Sequence, residues 1–401
     1  MDFILKRAAQ IQQELVEHRR YFHENAETHH HLPLTSAYVM EKLKEMGYHP
    51  KQMAKSGVVA VVGKKPGKTF MIRADMDALP MKEETDEPFK SKTPNMHSCG
   101  HDLHTAMLLG AAKLLRENED KIEGQVKLMF QPAEETLWGA KAMIKEGLME
   151  NPKVDAAMMI HVRLDKELPP GTILFTTPGV SSSSADNFRI EIQGKGGHGA
   201  KPQICIDPLT TAAHILINLQ EIYAKEVAPE DEIVINICHI EGGSAMNIIP
   251  DTAIMQGTVR TFDSEVRKTI LPRIEEIAKG TAQLFKTKAK VDYLMTTPSV
   301  INDEKLFHEL LGYSIEVFGD KKVVNAREVY GYKKARAAGS EDFAYISELV
   351  PAISVDIVAG CEKDGYHYDN HHPKVRFDEG ALHSGAAMYA TMAMKWLENN
   401  Q

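Results

Sequence analysis

Apolar residues along this chain recur with two different periods, and the switch between them divides the sequence. Over residues 1–47 they stand three and four apart (Ile11, Leu15, Val39, Leu43, Met46), the helical spacing, and the pattern stops at Gly47. A polar, histidine-rich elbow from His18 to His31 separates two helical stretches, and the run His29 to His31 reads as a solvated loop. Short β-branched apolar runs follow at Gly57–Gly63, Phe70–Pro80, Gly124–Phe130 and Val154–Val162, each reading as a buried strand. Helical spacing returns between them. Leu103, Met107, Ala111, Leu114 and Leu115 share one stripe, and Ala140, Met143, Ile144 and Leu148 another. Strands alternating with helices over residues 57–162 predict an α/β fold on a doubly wound, mostly parallel sheet.

After Ser181–Ser184 the pattern changes. Asn187–Gln193 alternates like a half-buried strand, Gly194–Gly199 is a turn, and Pro208–Tyr223 has helical spacing. Strands at Glu232–Cys238 and Thr252–Thr261, a helix from Ser264 to about Phe285 and a strand at Val291–Met295 complete the order of a ferredoxin-like α+β sandwich. Residues 184–297 are therefore expected to be an inserted domain, with 1–183 and 298–401 forming one discontinuous domain around it. The resumed part predicts a helix at Leu306–Val317, a polar segment Ala338–Phe343, a strand at Pro351–Val358 and a closing helix at Glu379–Leu397.

Composition narrows the function classes. A chain of 401 residues is long for a single core. Its net charge of -9 argues against a nucleic-acid partner or an anionic membrane surface. No apolar run approaches a membrane span, and the N-terminus lacks a signal-peptide core. Four widely scattered cysteines form no disulfide framework, so a reducing, cytoplasmic location is expected.

The residues with chemistry gather at the ends of these elements. Asp75 and Asp77 close the Phe70 strand, with side chains expected on one side by the period-two rule. Cys99, His101 and His104 stand at the mouth of the Leu103 helix, offering the sulfur and nitrogen donors that zinc-like ions favour. Glu134 and Glu135 sit at a strand-to-helix junction, His161 at a strand end, and His371-His372-Pro373 in the loop after the Pro351 strand. Each has an ordinary structural reading by itself. Their shared placement at strand ends, where open α/β sheets bind ligands, is the stronger signal.

Taken as blocks, these residues carry a specific resemblance. Arg73-Ala-Asp75-Met-Asp77-Ala-Leu-Pro80, His97-Ser-Cys99-Gly-His101-Asp102-Leu-His104-Thr, Gln131-Pro-Ala-Glu134-Glu135, Gly196-Gly-His198-Gly-Ala-Lys-Pro202 and His371-His-Pro373 occur in that order. Together they resemble the M20 metallopeptidase family. The resemblance is to its branch of hippurate hydrolases, N-acyl-amino-acid amidohydrolases, indole-acetyl-amino-acid hydrolases and N-acetyldiaminopimelate deacetylases, and it covers nearly the whole chain. It implies two divalent metal ions (Zn, Mn, Co or Ni) held by Cys99, His101, Glu135, His161 and His371. His371 is preferred to His372 because it stands two residues before the proline. It further implies Glu134 as general base and then acid, Asp75 and Asp77 as groups orienting the ligands, His198 as an oxyanion donor, and Asn247 and Arg260 as a grip on the substrate carboxylate. The reaction expected is hydrolysis of the amide of a small N-acyl-amino acid, with the inserted domain as a lid and dimerisation domain. In such a homodimer or higher oligomer, His198 reaches the partner's site. An N-acetyldiaminopimelate deacetylase, a dipeptidase acting on small peptides, and a silent metal-binding protein on the same fold are the other readings. Ala26-Glu27 and Gln203 depart from the family's pattern, and both lie outside the implied metal site.

Overall fold

The computed structural model describes residues 1–401. The chain begins with helices α1 (Asp2–Gln10), α2 (Gln12–Glu24) and α3 (Pro33–Glu45), then strands β1 (Lys51–Met53), β2 (Gly57–Val62) and β3 (Thr69–Asp75). Helix α4 (His101–Glu117), strand β4 (Gln125–Gln131), helix α5 (Gly139–Lys145) and strands β5 (Ala156–Asp165), β6 (Ile173–Phe175) and β7 (Gly179–Val180) follow. The middle of the chain holds β8 (Ala185–Gln193), β9 (Gly197–His198), α6 (Pro208–Asn218), β10 (Ile233–Gly242) and β11 (Ile248–Ile249). Next are β12 (Thr252–Thr261), α7 (Ser264–Leu284) and β13 (Lys288–Thr297). The last part holds β14 (Ile301–Asn302), α8 (Glu304–Phe318), β15 (Val323–Asn325), α9 (Ala326–Tyr330), α10 (Ala344–Ser347), β16 (Ala352–Cys361) and α11 (Leu382–Asn399). None of the helices is long and apolar enough to cross a membrane.

These elements form two compact units. The first comprises Met1–Ser181, Val300–Ala337 and Asp342–Gln401, and the second Ser182–Ser299 and Ala338–Glu341. The first unit is built on an eight-stranded sheet of order β1-β2-β4-β3-β5-β16-β6-β15. Its centre, β4 through β16, is parallel, as is the β6–β15 edge, while β1–β2, β2–β4 and β16–β6 pair antiparallel. The unbroken apolar runs of β3, β4 and β5 reflect burial on both faces. Phe70, Ile72, Ala74, Val126, Leu128, Phe130, Met158 and Ile160 join the core under α1–α4 and α11. Met71, Met129, Ala157 and Met159 face the opposite core, with α5 and α10. Period-two alternation thus serves two helical layers at once.

Helix α4 is buried almost throughout and packs backbone-close against its neighbours. A Cβ at Gly110 would stand 2.6 Å from Leu15 Cδ2 and 2.9 Å from Ala386 Cβ, and one at Gly385 would stand 2.2 Å from Met107 Sδ. These two glycines let α2, α4 and α11 meet, which fixes where the N-terminus of α4 points.

The second unit is an antiparallel four-stranded sheet of order β10-β12-β8-β13, with α6 and α7 supplying its core. That strand order, with a helix after the first and third strands, is the ferredoxin-like arrangement.

Several local expectations change. Helix α2 runs to Glu24, so the supposed elbow begins inside a helix, and His18 and His23 are buried on it. Strand β3 ends at Asp75, with Met76 N–H making the last ladder bond to the Gln131 carbonyl (2.8 Å); Asp77 lies beyond the ladder, outside period-two alternation. Helix α5 stops at Lys145, before Gly147 adopts φ +94°, and excludes Leu148. Helix α6 ends at Asn218, and a π-helical turn at Ile222–Glu226 follows.

A branched side chain at Gly110 has no room. Gly110→Val is expected to cost about 1–3 kcal/mol of stability, measured as a lowered denaturant midpoint; an unchanged midpoint would contradict the close approach.

Candidate metal centre

The loop entering α4 places Cys99 and His101. Gly100 caps that helix with φ +90°, and a Cβ there would lie 2.3 Å from Val162 Cγ2 on β5. Only glycine lets the loop press so close to the strand carrying His161. Around this contact His161 Nε2 lies 3.5 Å and His371 Nε2 3.3 Å from Cys99 Sγ. Glu135 Oε1 lies 3.5 Å from His371 Nε2 and 3.9 Å from His101 Nε2. Cys99, His101 and His161 form one group able to hold a cation, Cys99, Glu135 and His371 a second, and His101, Glu134 and Glu135 a third, the donor atoms within 4.8 Å in each. The neighbouring His372 instead stacks its ring on Tyr368 at 4.3 Å.

Hydrogen bonds set which nitrogen faces the cluster. His101 Nδ1 donates to the Asp77 carbonyl (2.7 Å) and His161 Nδ1 to the Val162 carbonyl (2.7 Å), so each Nε2 carries a lone pair. His101 Nε2 is buried with no hydrogen-bond partner. Burial, with the nearby Glu135, Glu134 and Asp75 carboxylates, pushes the Cys99 thiol well above its ordinary range. Burial likewise keeps His101 neutral, well below its usual value. A thiol that resists ionisation beside neutral imidazoles and carboxylates is a set that a divalent cation would complete, since the cation repays the cost of gathering those charges.

Asp75 and Asp77 brace the donors. Asp77 accepts the Glu134 N–H (2.9 Å) and the Glu135 N–H (3.3 Å). Burial and the Glu135 charge push its carboxyl well up. Asp75 Oδ1 takes His104 Nδ1–H at 2.6 Å, and His104 Nε2 accepts the Val162 N–H at 2.8 Å. His104 belongs to a further group with Asp75 and His101 that could hold a metal. Both of its nitrogens are nonetheless committed, which makes it a strut between β3 and β5. Burial opposes the ionisation of Asp75, yet the Arg73 guanidinium and the hydrogen bond from His104 hold it well below the carboxylate range.

The glutamates stand in a strained turn. Ala133 and Leu137 take φ +57° and +54°, and a Cβ at Gly139 would lie 1.7 Å from the Pro132 carbonyl oxygen. His371 is also left-handed, at φ +67°. Non-glycine residues hold such angles only where their surroundings impose them, a pattern common at functional sites.

Beneath the site lies a network that sequence reasoning missed. Asp102 Oδ2 accepts from Arg19 Nε (2.8 Å) and His23 Nδ1 (2.8 Å), while His23 Nε2 faces Glu83 Oε2 at 3.2 Å. The available signal was the basic pair Arg19 and His23, four residues apart on a helix with apolar Leu15 and Phe22, which asks for a buried acid.

His198, Asn247 and Arg260 belong to the second unit. His198, on β9, pairs with Ile248 of β11, and Gly199 N–H bonds the Asn247 carbonyl at 2.8 Å, so these two residues are neighbours. His198 Nδ1 accepts the Ala200 N–H (3.1 Å), leaving Nε2 as the protonated nitrogen of the neutral ring. Arg260 donates from Nη1 to Ser340 Oγ at 2.5 Å.

Comparison with known proteins agrees with this geometry. Residues 71–395 match peptidase family M20/M25/M40. The chain is 35% identical to the N-acetyl-L-cysteine deacetylase of Bacillus subtilis strain 168, over 98% of this chain and 90% of that one. It is 35% identical to the hippurate hydrolase of Campylobacter jejuni subsp. jejuni, over 97% of this chain and 98% of that one. The Bacillus subtilis YxeP protein, described as a dinuclear metal-binding peptidase of the M20 family, aligns with a TM-score of 0.79 at 31% identity, over 97% of this chain and 99% of its own. The chain thus belongs to peptidase family M20/M25/M40. Within that family it is an amidohydrolase.

Asp102→Asn leaves Arg19 and His23 buried against a neutral amide. We expect it to lose about 3–5 kcal/mol of unfolding free energy when measured with saturating metal. A loss under 1 kcal/mol would mean that the network carries little.

Proposed function

We propose that this protein hydrolyses the amide bond of N-acyl-amino acids, releasing a carboxylic acid and an amino acid, with two divalent metal ions per chain. The observation that carries the reading is Glu134, buried and within 4.8 Å of the His101 and Glu135 donor atoms, so that a carboxylate stands beside the donor cluster. Cys99, His101, Glu135, His161 and His371 are the proposed ligands. Their mixed sulfur, nitrogen and oxygen atoms suit zinc, manganese, cobalt or nickel. When bound, such ions polarise the amide carbonyl and lower the pKa of water. Glu134 takes a proton from the attacking water and delivers it to the leaving amine nitrogen. Asp77 keeps Glu134 and Glu135 in register through their N–H groups, and Asp75, through His104, keeps β3 and β5 at a fixed spacing. His198 Nε2–H donates to the oxyanion, and Arg260 with Asn247 receives the α-carboxylate.

The segment 184–297 is the proposed lid and dimerisation domain. An unpaired sheet edge at β10, with Val234 and Ile240 exposed and Met246 and Ile248 exposed close by, supports pairing with a second copy. In that homodimer His198 serves the partner's site. Four free cysteines fit a cytoplasmic setting. A panel of acetyl-, benzoyl-, diaminopimelate- and dipeptide-type amides assayed with each metal would separate the N-acyl-amino-acid reading from deacetylase and dipeptidase alternatives.

Glu134→Gln should keep its metal and lose about 10²–10⁴-fold in turnover, the usual worth of a general base. Glu135→Gln should lose metal affinity first, as read by chelator titration. Equal behaviour in that titration would overturn the division of roles. Mixing inactive His198→Ala and Glu134→Gln chains under conditions of subunit exchange should restore part of the activity, because each mixed dimer contains one complete site. No recovery despite proven exchange, or a monomeric active enzyme, would overturn the trans arrangement.

A further inference from the structure

Of the two acidic residues in the segment Ala338–Phe343, Asp342 takes no part in the chemistry above, yet it is wholly buried. Asp342 Oδ1 accepts from Gln131 Nε2 at 2.6 Å and from Arg73 Nη2 at 3.1 Å. Asp342 Oδ2 accepts the Ala140 N–H at 2.9 Å. Gln131 is the last residue of β4, and Ala140 lies in the first turn of α5. Between them runs the strained turn that carries Glu134 and Glu135. One carboxylate therefore grips both ends of that turn.

We propose that Asp342 is a positioning residue that clamps the Gln131–Ala140 turn and thereby aims Glu134 and Glu135. A turn with two left-handed non-glycine residues needs holding from outside. Asp77 holds its middle through two N–H groups, but nothing in that contact fixes how far apart the ends stand. Asp342 supplies that constraint. Arg73 balances its charge and links the clamp to the rest of the site, donating from Nε to Gln131 Oε1 (2.8 Å) and from Nη1 to Asp75 Oδ2 (2.7 Å). Loosening the clamp should displace the proton-transferring carboxylate and a metal-holding one together, while substrate contacts elsewhere stay intact. The inference rests on the roles proposed for Glu134 and Glu135.

The test is Asp342→Asn in the full-length holoenzyme. The amide nitrogen cannot accept hydrogen bonds, so one end of the turn is released at little change in volume. We expect kcat to fall about 10–100-fold, the scale of a misplaced catalytic group, with KM within about two-fold. Metal should pass to a competing chelator at lower chelator concentration than in wild type, at a temperature well below unfolding. In an Asp342→Asn, Glu134→Gln double variant, kcat should equal that of Glu134→Gln alone, because Asp342 acts on turnover through that carboxylate. Independent, multiplied losses would overturn the proposal, as would a lowered melting temperature with kcat and metal retention unchanged. If Glu134→Gln alone proves active, the base assignment fails, and the clamp is judged on metal retention at Glu135. Should Asp342→Asn not fold, Gln131→Met releases the upstream end while keeping the Arg73–Asp342 pair, and the same outcomes decide.

Discussion

Negative charge collected in a dry place is the constraint on which this molecule turns. Asp75, Asp77, Glu134, Glu135 and the un-ionised Cys99 thiol are gathered at the C-terminal ends of the central strands of a sheet that is otherwise apolar, where unpaired carboxylates cost several kcal/mol each. Arg73 is the fully buried cation that faces them, and it is shared between Asp75 and Asp342. His104 meets Asp75 on the other side, and the N-terminus of α4 adds a fixed partial positive charge beside Cys99. These contributions leave acidic charge unmatched. An amidohydrolase of this family is therefore best understood as a fold that tolerates clustered acidic groups, some of them held un-ionised, that cations would complete.

That tolerance depends on rigidity elsewhere. The donors come from four places far apart in sequence: the loops after β3, β4 and β16, and the strand β5 with the helix start beside it. Their spacing is kept by contacts with no metal-binding capacity. Gly110 and Gly385 seat α4, Gly100 lets its entry loop lie against Val162, and Asp102 ties its first turn to α2. Any of these could shift the donors by a fraction of an ångström, a large error for a coordination shell. Packing and chemistry here are the same problem.

Much of this was legible in the sequence because it is local or periodic. Doubling of the apolar pattern in β3, β4 and β5 marks strands buried on both faces, and the Cys99–His104 stretch announces its helix and its donors together. The ferredoxin-like order of the second unit was also readable from alternation and turn residues. What escaped was pairing between remote positions. Arg73 and Asp342 stand 269 residues apart, and Arg19 and Asp102 stand 83 apart. No spacing rule connects such pairs. His18 and His23 were placed in a polar elbow because histidines on a helix look soluble until the acid that receives them is known. Asp75 and Asp77 both face the His101 ring, although Asp77 lies past the end of β3, where period-two alternation no longer applies.

The way the chain is threaded has a consequence for modularity. Ala338–Glu341 packs with the second unit, although more than thirty residues of the first unit separate it from the rest of that unit. Ser340 receives the Arg260 guanidinium, and Ser183 Oγ–H donates to the Ala338 carbonyl. The second unit is thus not a cassette that two cuts can lift out. A fragment spanning 184–297 would leave behind the short piece that holds Arg260 in place. Exchanging this region between relatives, or expressing it alone, would require carrying a second, distant insertion of four residues.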